Sequence, residues 1–188
     1  MSFYGIDIWF LIFSTAAMGL PGESMKQSVN RMQFLRGRFN GRSAIRPPWS
    51  MEESRFTDLC DRCDACISAC HAKIIHRGEG GFPEINFSRG GCDFCRACVQ
   101  ACPSGAISKE SSHTWSVQAS FKSSCLAERG VICRSCGDVC EHRAIRFRMR
   151  VGGSAMIEFN PAACTGCGEC VSLCPVQAIE IKPLEITS

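Results

Sequence analysis

The chain has 188 residues, a formal net charge of +3 and sixteen cysteines. That cysteine content marks a scaffold organised by its cysteines, and the remaining apolar residues are few for an ordinary globular core. A secreted disulfide framework is excluded as the main interpretation, because such frameworks do not place cysteines in four nearly identical short runs. Bound metal is the favoured explanation, and its binding energy would then contribute to folding.

The first 24 residues carry an apolar stretch, Ile8–Leu20. It is shorter than the roughly 20 residues that a membrane-spanning helix needs. A secretory signal would have basic residues ahead of the apolar run, where only Asp7 stands. Met25 follows a Pro-Gly break, so segment 1–24 is either the product of a misassigned start codon or an interfacial or partner-binding extension.

Segment 25–53 is basic in its first part. Apolar residues recur there at spacings of three and four from Met25 to Phe39, which predicts one face of an amphipathic helix. This helical extension could contact an acidic partner surface, or it could be a solvated tail. Its basic residues are Lys26, Arg31, Arg36, Arg38, Arg42 and Arg46.

Four cysteine-rich units follow, and internal repetition of this kind decides the architecture. Each unit has closely spaced cysteines and a last cysteine four positions further on. The units are Cys60-x2-Cys63-x2-Cys66-x3-Cys70, Cys92-x2-Cys95-x2-Cys98-x3-Cys102, Cys125-x7-Cys133-x2-Cys136-x3-Cys140 and Cys164-x2-Cys167-x2-Cys170-x3-Cys174.

Short isoleucine-rich runs come after each last cysteine and predict short strands. Residues 82–87 and 156–160 predict the partner strands of two hairpins, with turns at Gly78–Gly81 and Gly152–Gly153. We therefore predict an α+β fold of two tandem bacterial-ferredoxin-like modules, each with two 4Fe-4S clusters, short strands and short helices. The modules are residues 54–110 and 121–184, joined by a linker at 111–120 in which Trp115 predicts some packing.

The second and fourth units match the run C-x2-C-x2-C-x3-C-P of bacterial ferredoxins in full, including Pro103 and Pro175. In that pattern three cysteines of a loop bind one 4Fe-4S cluster, and the fourth binds the other cluster of the pair. Zinc sites usually take two ligands from each of two separated pairs, which leaves no use for a third cysteine in every loop.

Crosswise ligation gives four predicted sites that use all sixteen cysteines as metal ligands. The first site is Cys60, Cys63, Cys66 and Cys102; the second is Cys70, Cys92, Cys95 and Cys98; the third is Cys125, Cys133, Cys136 and Cys174; the fourth is Cys140, Cys164, Cys167 and Cys170. Four clusters with sixteen thiolates would bring the loaded protein to a net charge of about −5. The positive formal charge therefore does not predict a nucleic-acid partner.

Two units depart from the pattern. His71 and Glu141 stand where proline is expected, and seven residues separate Cys125 from Cys133. The longer loop predicts unequal reduction potentials or one more labile cluster, unless it is a tolerated insertion. His71 and His142 could couple protons to reduction, although most histidines in such places are surface residues.

The chain resembles the NapF family of ferredoxin-type proteins of the periplasmic nitrate reductase system. Beyond the cysteine units, the resemblance rests on Leu35-Arg36-Gly37-Arg38, Ile45-Arg46-Pro47-Pro48-Trp49-Ser50 and Gly80-Gly81-Phe82-Pro83, and it spans about residues 30–182. It implies a cytoplasmic protein that contacts the precursor of the catalytic subunit, NapA, and assists its maturation before export by passing electrons or a cluster.

No nucleotide fingerprint or nucleophile elbow is present in the sequence, so we do not expect an enzyme. The alternative function is an electron-transfer subunit that relays electrons between a quinol-oxidising membrane complex and a cytoplasmic acceptor. Four clusters in one chain suit either function, and the sequence does not separate them.

Overall fold

The computed structural model describes residues 44–111, 115–149 and 155–184. Segment 1–24, the predicted basic helix and the turn at Gly152–Gly153 lie outside these residues. The elements are α1 (Glu53–Leu59), α2 (Ala65–Ala69), β1 (Ile75–Arg77), β2 (Pro83–Ile85), α3 (Ala97–Gln100), β3 (Val117–Phe121), α4 (Ser135–Asp138), β4 (Ile145–Met149), β5 (Ala155–Phe159), α5 (Glu169–Ser172) and β6 (Ile179–Pro183), with 3-10 turns at Glu79–Gly81, Phe87–Arg89 and Pro161–Ala163.

The helices have four to seven residues each. Helices of that length are not stable alone in water, so packing and bound groups must hold them in place. In the part of the chain that the structure describes, none of them combines the length and apolar character needed to cross a bilayer.

The first module contains the hairpin β1–β2. Ile75 lies opposite Ile85, and both are buried, while His76 lies opposite Glu84 on the other face. This alternation follows from the two-residue period of a strand. The predicted hairpin in this region is confirmed.

The second module contains two strand pairs. The hairpin β4–β5, with Ile145 opposite Phe159, confirms the second predicted hairpin. The other pair joins the first and last strands of the module, β3 and β6, with Ala119 opposite Ile181. The first module closes in the same manner, but only by a single antiparallel bridge between Ser50 and Ile107.

The module boundaries differ from the predicted ones. β3 lies mostly within the predicted linker 111–120, where it pairs with β6. Residues ahead of position 54 also belong to the first module, because the amide of Ile85 donates to the carbonyl oxygen of Ile45 at 2.8 Å and that of Met51 to the carbonyl oxygen of Ala106 at 3.0 Å. These segments have little hydrophobic periodicity of their own, and their structure follows from pairing with other segments of the chain.

Arg46 differs from the prediction for segment 25–53, that its basic residues either contact an acidic partner surface or form a solvated tail. Its side chain is buried, forms a salt bridge to Glu53 at 2.8 Å and donates to the carbonyl oxygen of Pro83 at 3.0 Å. Its guanidinium also lies 5.0 Å from the ring centroid of Phe56 and 5.5 Å from that of Phe82. Arg46 is therefore part of the first module's core.

Trp115 packs as its sequence context predicted. Its indole nitrogen donates to the carbonyl oxygen of Arg46 at 3.1 Å, and its ring meets Phe94 edge-on at 5.3 Å. The segment between the modules is therefore anchored to the first module on its way to β3.

Candidate metal centres

Three of the four cysteine loops share one backbone conformation. Between the first and third cysteines of each loop, two residues adopt the left-handed conformation. They are Arg62 and Asp64, Phe94 and Arg96, and Gly166 and Gly168. Left-handed residues are uncommon outside glycine, so their repetition at matching positions shows that the loop geometry overrides local preference. Each loop therefore bends tightly, and a short helix that contains the third cysteine begins directly after it.

A further left-handed residue lies three positions after the last cysteine of every unit. These residues are Lys73, Gly105, Arg143 and Gln177. Each of them lies after the end of the helix and just before the following strand or bridge, into which it directs the chain. This turn is present in all four units, including those without the expected proline after the last cysteine.

At the first site, α2 carries Cys66 and the chain leaving α3 supplies Cys102. Burial raises the pKa of the Cys66 thiol to about 11, and the nearby thiols of Cys60 and Cys102 contribute to that rise. The amide of Ile107 donates to the sulfur of Cys102 at 3.4 Å, and the hydroxyl of Ser104 lies 3.7 Å from the same sulfur. The structure thus brings Cys102 to the loop of the first unit.

At the second site the roles of the two units are exchanged: the loop of the second unit supplies three cysteines and the first unit supplies the fourth. Burial raises the pKa of Cys92 to about 11, to which the thiol of Cys70 contributes, and that of Cys98 to about 12. A small cavity is lined by all four of its cysteines, together with Ile74 and Ile85. Cys70, at the end of α2, therefore faces the loop of the second unit.

The third site has a different loop. Arg134 is not left-handed, and the seven-residue gap contains a glycine turn at Gly130 instead. Burial raises the pKa of Cys136 to about 12, with further contributions from the thiols of Cys125, Cys133 and Cys174. The amide of Ala178 donates to the sulfur of Cys174 at 3.2 Å.

Exposed apolar side chains flank ligands of the third site. Ile132 is 71% exposed and Val131 is 49% exposed, and both precede Cys133 in the longer loop. Leu173 and Val176 flank Cys174 and are also exposed. Exposed apolar groups gathered in one place mark interaction surfaces more often than scattered ones do.

The fourth site lines a cavity of about 420 Å³. Burial raises the pKa of Cys170 to about 12, and the thiols of Cys167, of Cys136 from the third site, and of Cys164 and Cys140 contribute to that effect. The hydroxyl of Thr165 lines the same cavity and is buried without a hydrogen-bond partner among the described residues. A buried hydroxyl of this kind normally has a partner.

The residues present fit 4Fe-4S clusters. Buried thiols with raised pKa values stay protonated at neutral pH unless a cation replaces the proton, and cluster iron is such a cation. Backbone N–H groups on the sulfurs and the unpaired Thr165 hydroxyl supply the hydrogen bonds that cluster sulfur accepts. Among the described residues no three histidine, cysteine or carboxylate side chains converge on a single ion position; thiolates that each bind a different iron of a cube need no such convergence.

The departures from the motif lie at the surface. His71, Glu141 and His142 are all exposed. The cysteine pattern does not predict a role for Thr165, Ser104 or the backbone amides of Ile107 and Ala178. The position of Thr165 directly after a ligand cysteine could have predicted its place at the site. Backbone donors have no sequence signal, because every residue except proline has an amide N–H.

A family model described as a 4Fe-4S dicluster domain matches the chain twice, over residues 59–106 and 131–178. One match therefore falls in each module. The matches agree with the two tandem modules that the structure shows, and they establish the chain as an iron–sulfur protein with repeated 4Fe-4S domains.

Three relatives extend this result. The chain is 46% identical over 161 residues to the ferredoxin-type protein NapF of Escherichia coli strain K12, which covers 85% of this chain and 98% of that protein. It is 43% identical over 170 residues to the NapF protein of Haemophilus influenzae, with 85% and 97% covered. It is also 33% identical over 128 residues to one component of an ion-translocating oxidoreductase complex of Methanosarcina acetivorans, with 65% and 47% covered. With its two dicluster modules and this identity over nearly the whole length of the first two relatives, the chain belongs to the NapF family of ferredoxin-type proteins.

Proposed function

We propose that the chain holds four 4Fe-4S clusters, bound crosswise by the sixteen cysteines of the four sites. The observation that supports this is spatial: in each of the four sites one loop thiol, that of Cys66, Cys92, Cys136 or Cys170, has as a neighbour the cysteine predicted to come from the partner unit. Bound clusters would supply reversible one-electron reduction. The chain's own part is to bury them, donate hydrogen bonds to their sulfurs and hold them at fixed positions.

We further propose that the protein acts in the cytoplasm, without catalytic activity of its own, on the precursor of the nitrate reductase catalytic subunit NapA. There it assists maturation before export by passing electrons or a cluster. The identity of 46% to a NapF protein, over 98% of that protein, carries this proposal. Such coverage leaves little room for a different overall architecture.

The contact with the precursor is proposed to lie at the third site. The side chains close in sequence to its ligands Cys133 and Cys174, here called the apolar rim, are exposed: Val131, Ile132, Leu173 and Val176. A redox partner must approach a cluster closely to exchange electrons with it. The basic segment ahead of residue 44 is a second candidate contact. Unchanged precursor binding after deletion of residues 26–43 would show that this segment does not contact the precursor.

An electron-transfer subunit is the second candidate function. The similarity to one component of an ion-translocating oxidoreductase complex favours it, because that relative works within a larger redox complex. On this proposal the partners are a quinol-oxidising membrane complex and a cytoplasmic acceptor. Rapid reduction of the clusters by membranes that contain such a complex would support it.

The test is anaerobic affinity capture of the cluster-loaded protein with NapA in its precursor and mature forms. We expect preferential capture of the precursor, and loss of that capture in Cys92→Ser, which lacks a ligand of the second site. Ser123→Ala, an exposed change at a residue that is not a ligand, is the matched control. Equal capture of both forms, or of neither, would contradict a maturation role and leave the electron-transfer function as the better account.

A further inference from the structure

The two modules meet through the loops of their second and fourth sites. The amide of Cys92 donates to the carbonyl oxygen of Cys167 at 2.7 Å, and the amide of Gly91 donates to the carboxylate of Glu169 at 2.7 Å. The first of these bonds joins two ligand residues of different sites across the module boundary. Hydrogen bonds from the backbone hold such loops at one separation and orientation.

Gly168 shows that this junction constrains the sequence. A Cβ atom at Gly168 would lie 2.0 Å from the Cδ1 atom of Phe87, a buried residue of the first module. The left-handed backbone alone does not require glycine here, because Asp64 and Arg96 adopt the same conformation at the matching positions of their loops. The space taken by the Phe87 ring therefore excludes a side chain at position 168.

Apolar contacts continue the junction. Val171 and Ile181, which belong to the second module, pack against the buried core of each module. α5 itself contacts the 3-10 turn Phe87–Arg89. The junction is thus a packed surface with directional hydrogen bonds, unlike a flexible tether between two independent domains.

Within each module the helices that carry cysteines of different sites also pack together. α2 holds Cys66 of the first site and contacts α3, which holds Cys98 of the second site. α4 and α5 pair in the same way, with Cys136 of the third site and Cys170 of the fourth. Neighbouring sites therefore follow one another across both modules and the junction.

We infer that the second and fourth sites form a fixed pair across the module junction, so that the four sites stand in one series: first, second, fourth, third. Phe87, Gly91, Gly168 and Glu169 are the positioning residues of this pair. The series places the first and third sites at its ends. The inference rests on the proposed cluster content, but it does not depend on which partner the protein serves.

The test uses the full-length, cluster-loaded protein and compares Gly168→Ala with Gly130→Ala. Both glycines are left-handed, with φ of +82° and +80°, but a Cβ at Gly130 meets nothing within 4 Å. The pair of variants therefore separates the junction clash from backbone strain. Iron content is measured first. A variant that holds as much iron as four clusters require but has altered coupling reports on the junction. Native protein that holds less iron than that would contradict the proposed cluster content itself.

Two readouts are used. Hydrogen exchange of a peptide spanning residues 90–94 should be at least about tenfold faster in Gly168→Ala, because the amides of Gly91 and Cys92 donate across the junction and these bonds open. Electron paramagnetic resonance of the dithionite-reduced protein should show weaker spin–spin broadening in that variant. Gly130→Ala should match the native protein in both measurements at the junction.

A second variant protects the test from a folding failure. Glu169→Gln keeps the shape of the side chain and weakens its bond to Gly91, so it should shift both readouts in the same direction by a smaller factor. Adding Phe87→Leu to Gly168→Ala should restore part of the coupling, because it makes room for the new methyl group. Native exchange rates and a native reduced spectrum in fully loaded Gly168→Ala or Glu169→Gln would overturn the inference.

Discussion

At the scale of single residues, hydrogen bonds to sulfur are the chain's means of adjusting each cluster. A donor on cluster sulfur stabilises the more negative, reduced form and so raises the reduction potential. The Ser104 hydroxyl and the backbone amides of Ile107 and Ala178 lie at ligand sulfurs, and the unpaired hydroxyl of Thr165 lines the cavity of the fourth site, where it would be free to donate to a bound cluster. Their unequal distribution predicts unequal reduction potentials for the proposed clusters.

Thr165→Val removes the unpaired hydroxyl of the fourth site with little change in shape. We expect one of the resolved reduction potentials to fall by about 20 to 60 mV, which corresponds to a hydrogen bond worth about 0.5–1.5 kcal/mol in a one-electron couple. Potentiometric titration followed by electron paramagnetic resonance measures it. Thr57→Val, the same change on α1, should leave all potentials in place; equal shifts in both variants would refute this role of Thr165.

Arg46→Gln tests the buried cation of the first module. It breaks the salt bridge to Glu53 and removes the cation from the rings of Phe56 and Phe82. Loss of one partner of a buried pair costs about 3–5 kcal/mol. The temperature at which the cluster absorption bleaches should therefore fall by roughly 6–20 °C for a protein of this size.

Arg77→Gln provides the control for that measurement. Arg77 pairs with Asp64 at the surface and is 58% exposed. Exposed pairs contribute about 0–1 kcal/mol, so bleaching should shift by a few degrees at most. Similar shifts in the two variants would show that Arg46 has no special structural role.

At the scale of elements, the loop of the third unit differs most from its repeats. It lacks the pair of left-handed residues found in the other three loops and exposes Val131 and Ile132. The difference is local, because the helix, turn and strand that follow it match those of the other units. Because only this loop differs while the rest of the unit keeps the conformation of the other repeats, the difference indicates a partner contact and not a different fold.

Ile132→Asp places a charge in the apolar rim of the third site. If the precursor docks there, its capture should weaken by about tenfold or more, since burying an unpaired charge at an interface is costly. Met149→Asp, at another exposed apolar residue on β4, is the matched control. Unchanged capture by the Ile132 variant, with intact clusters, would move the contact away from the third site.

At the scale of the whole molecule, the described core is small and rich in cysteine. The buried residues of the second module are mostly alanine, cysteine and isoleucine. Such side chains bury little apolar area, so the clusters must contribute a large part of the folding energy. Short helices and two-stranded sheets like those described here add little stability of their own.

Anaerobic removal of iron by a chelator should therefore unfold most of the protein. Far-ultraviolet circular dichroism should lose the greater part of its signal, and proteolysis should become fast across both modules. Reconstitution with iron and sulfide should restore both. A chain that kept its circular dichroism and its resistance to protease without iron would show that apolar packing alone holds the fold.

The cysteine units, the two hairpins and the tandem organisation of the modules were predictable from the amino-acid sequence alone. These follow from local rules: ligand spacing is read directly from the chain, and buried hairpin strands alternate with turn residues between them. The left-handed residues of the loops, by contrast, have no reliable sequence signal, since arginine, aspartate and phenylalanine occupy them. Their conformation is imposed by the need to turn several cysteines toward one site.

The module boundaries and the junction between the modules depend on tertiary contacts. β3 lies in a stretch whose composition predicts a linker, and it becomes a strand because β6 offers an unpaired edge. Arg46 has the sequence pattern of a surface charge, but Glu53 and two aromatic rings enclose it. Gly168 has the pattern of an ordinary loop glycine, but Phe87, from the other module, occupies the place of its side chain. Each of these depends on contacts between separate elements of the fold, which a local pattern does not encode.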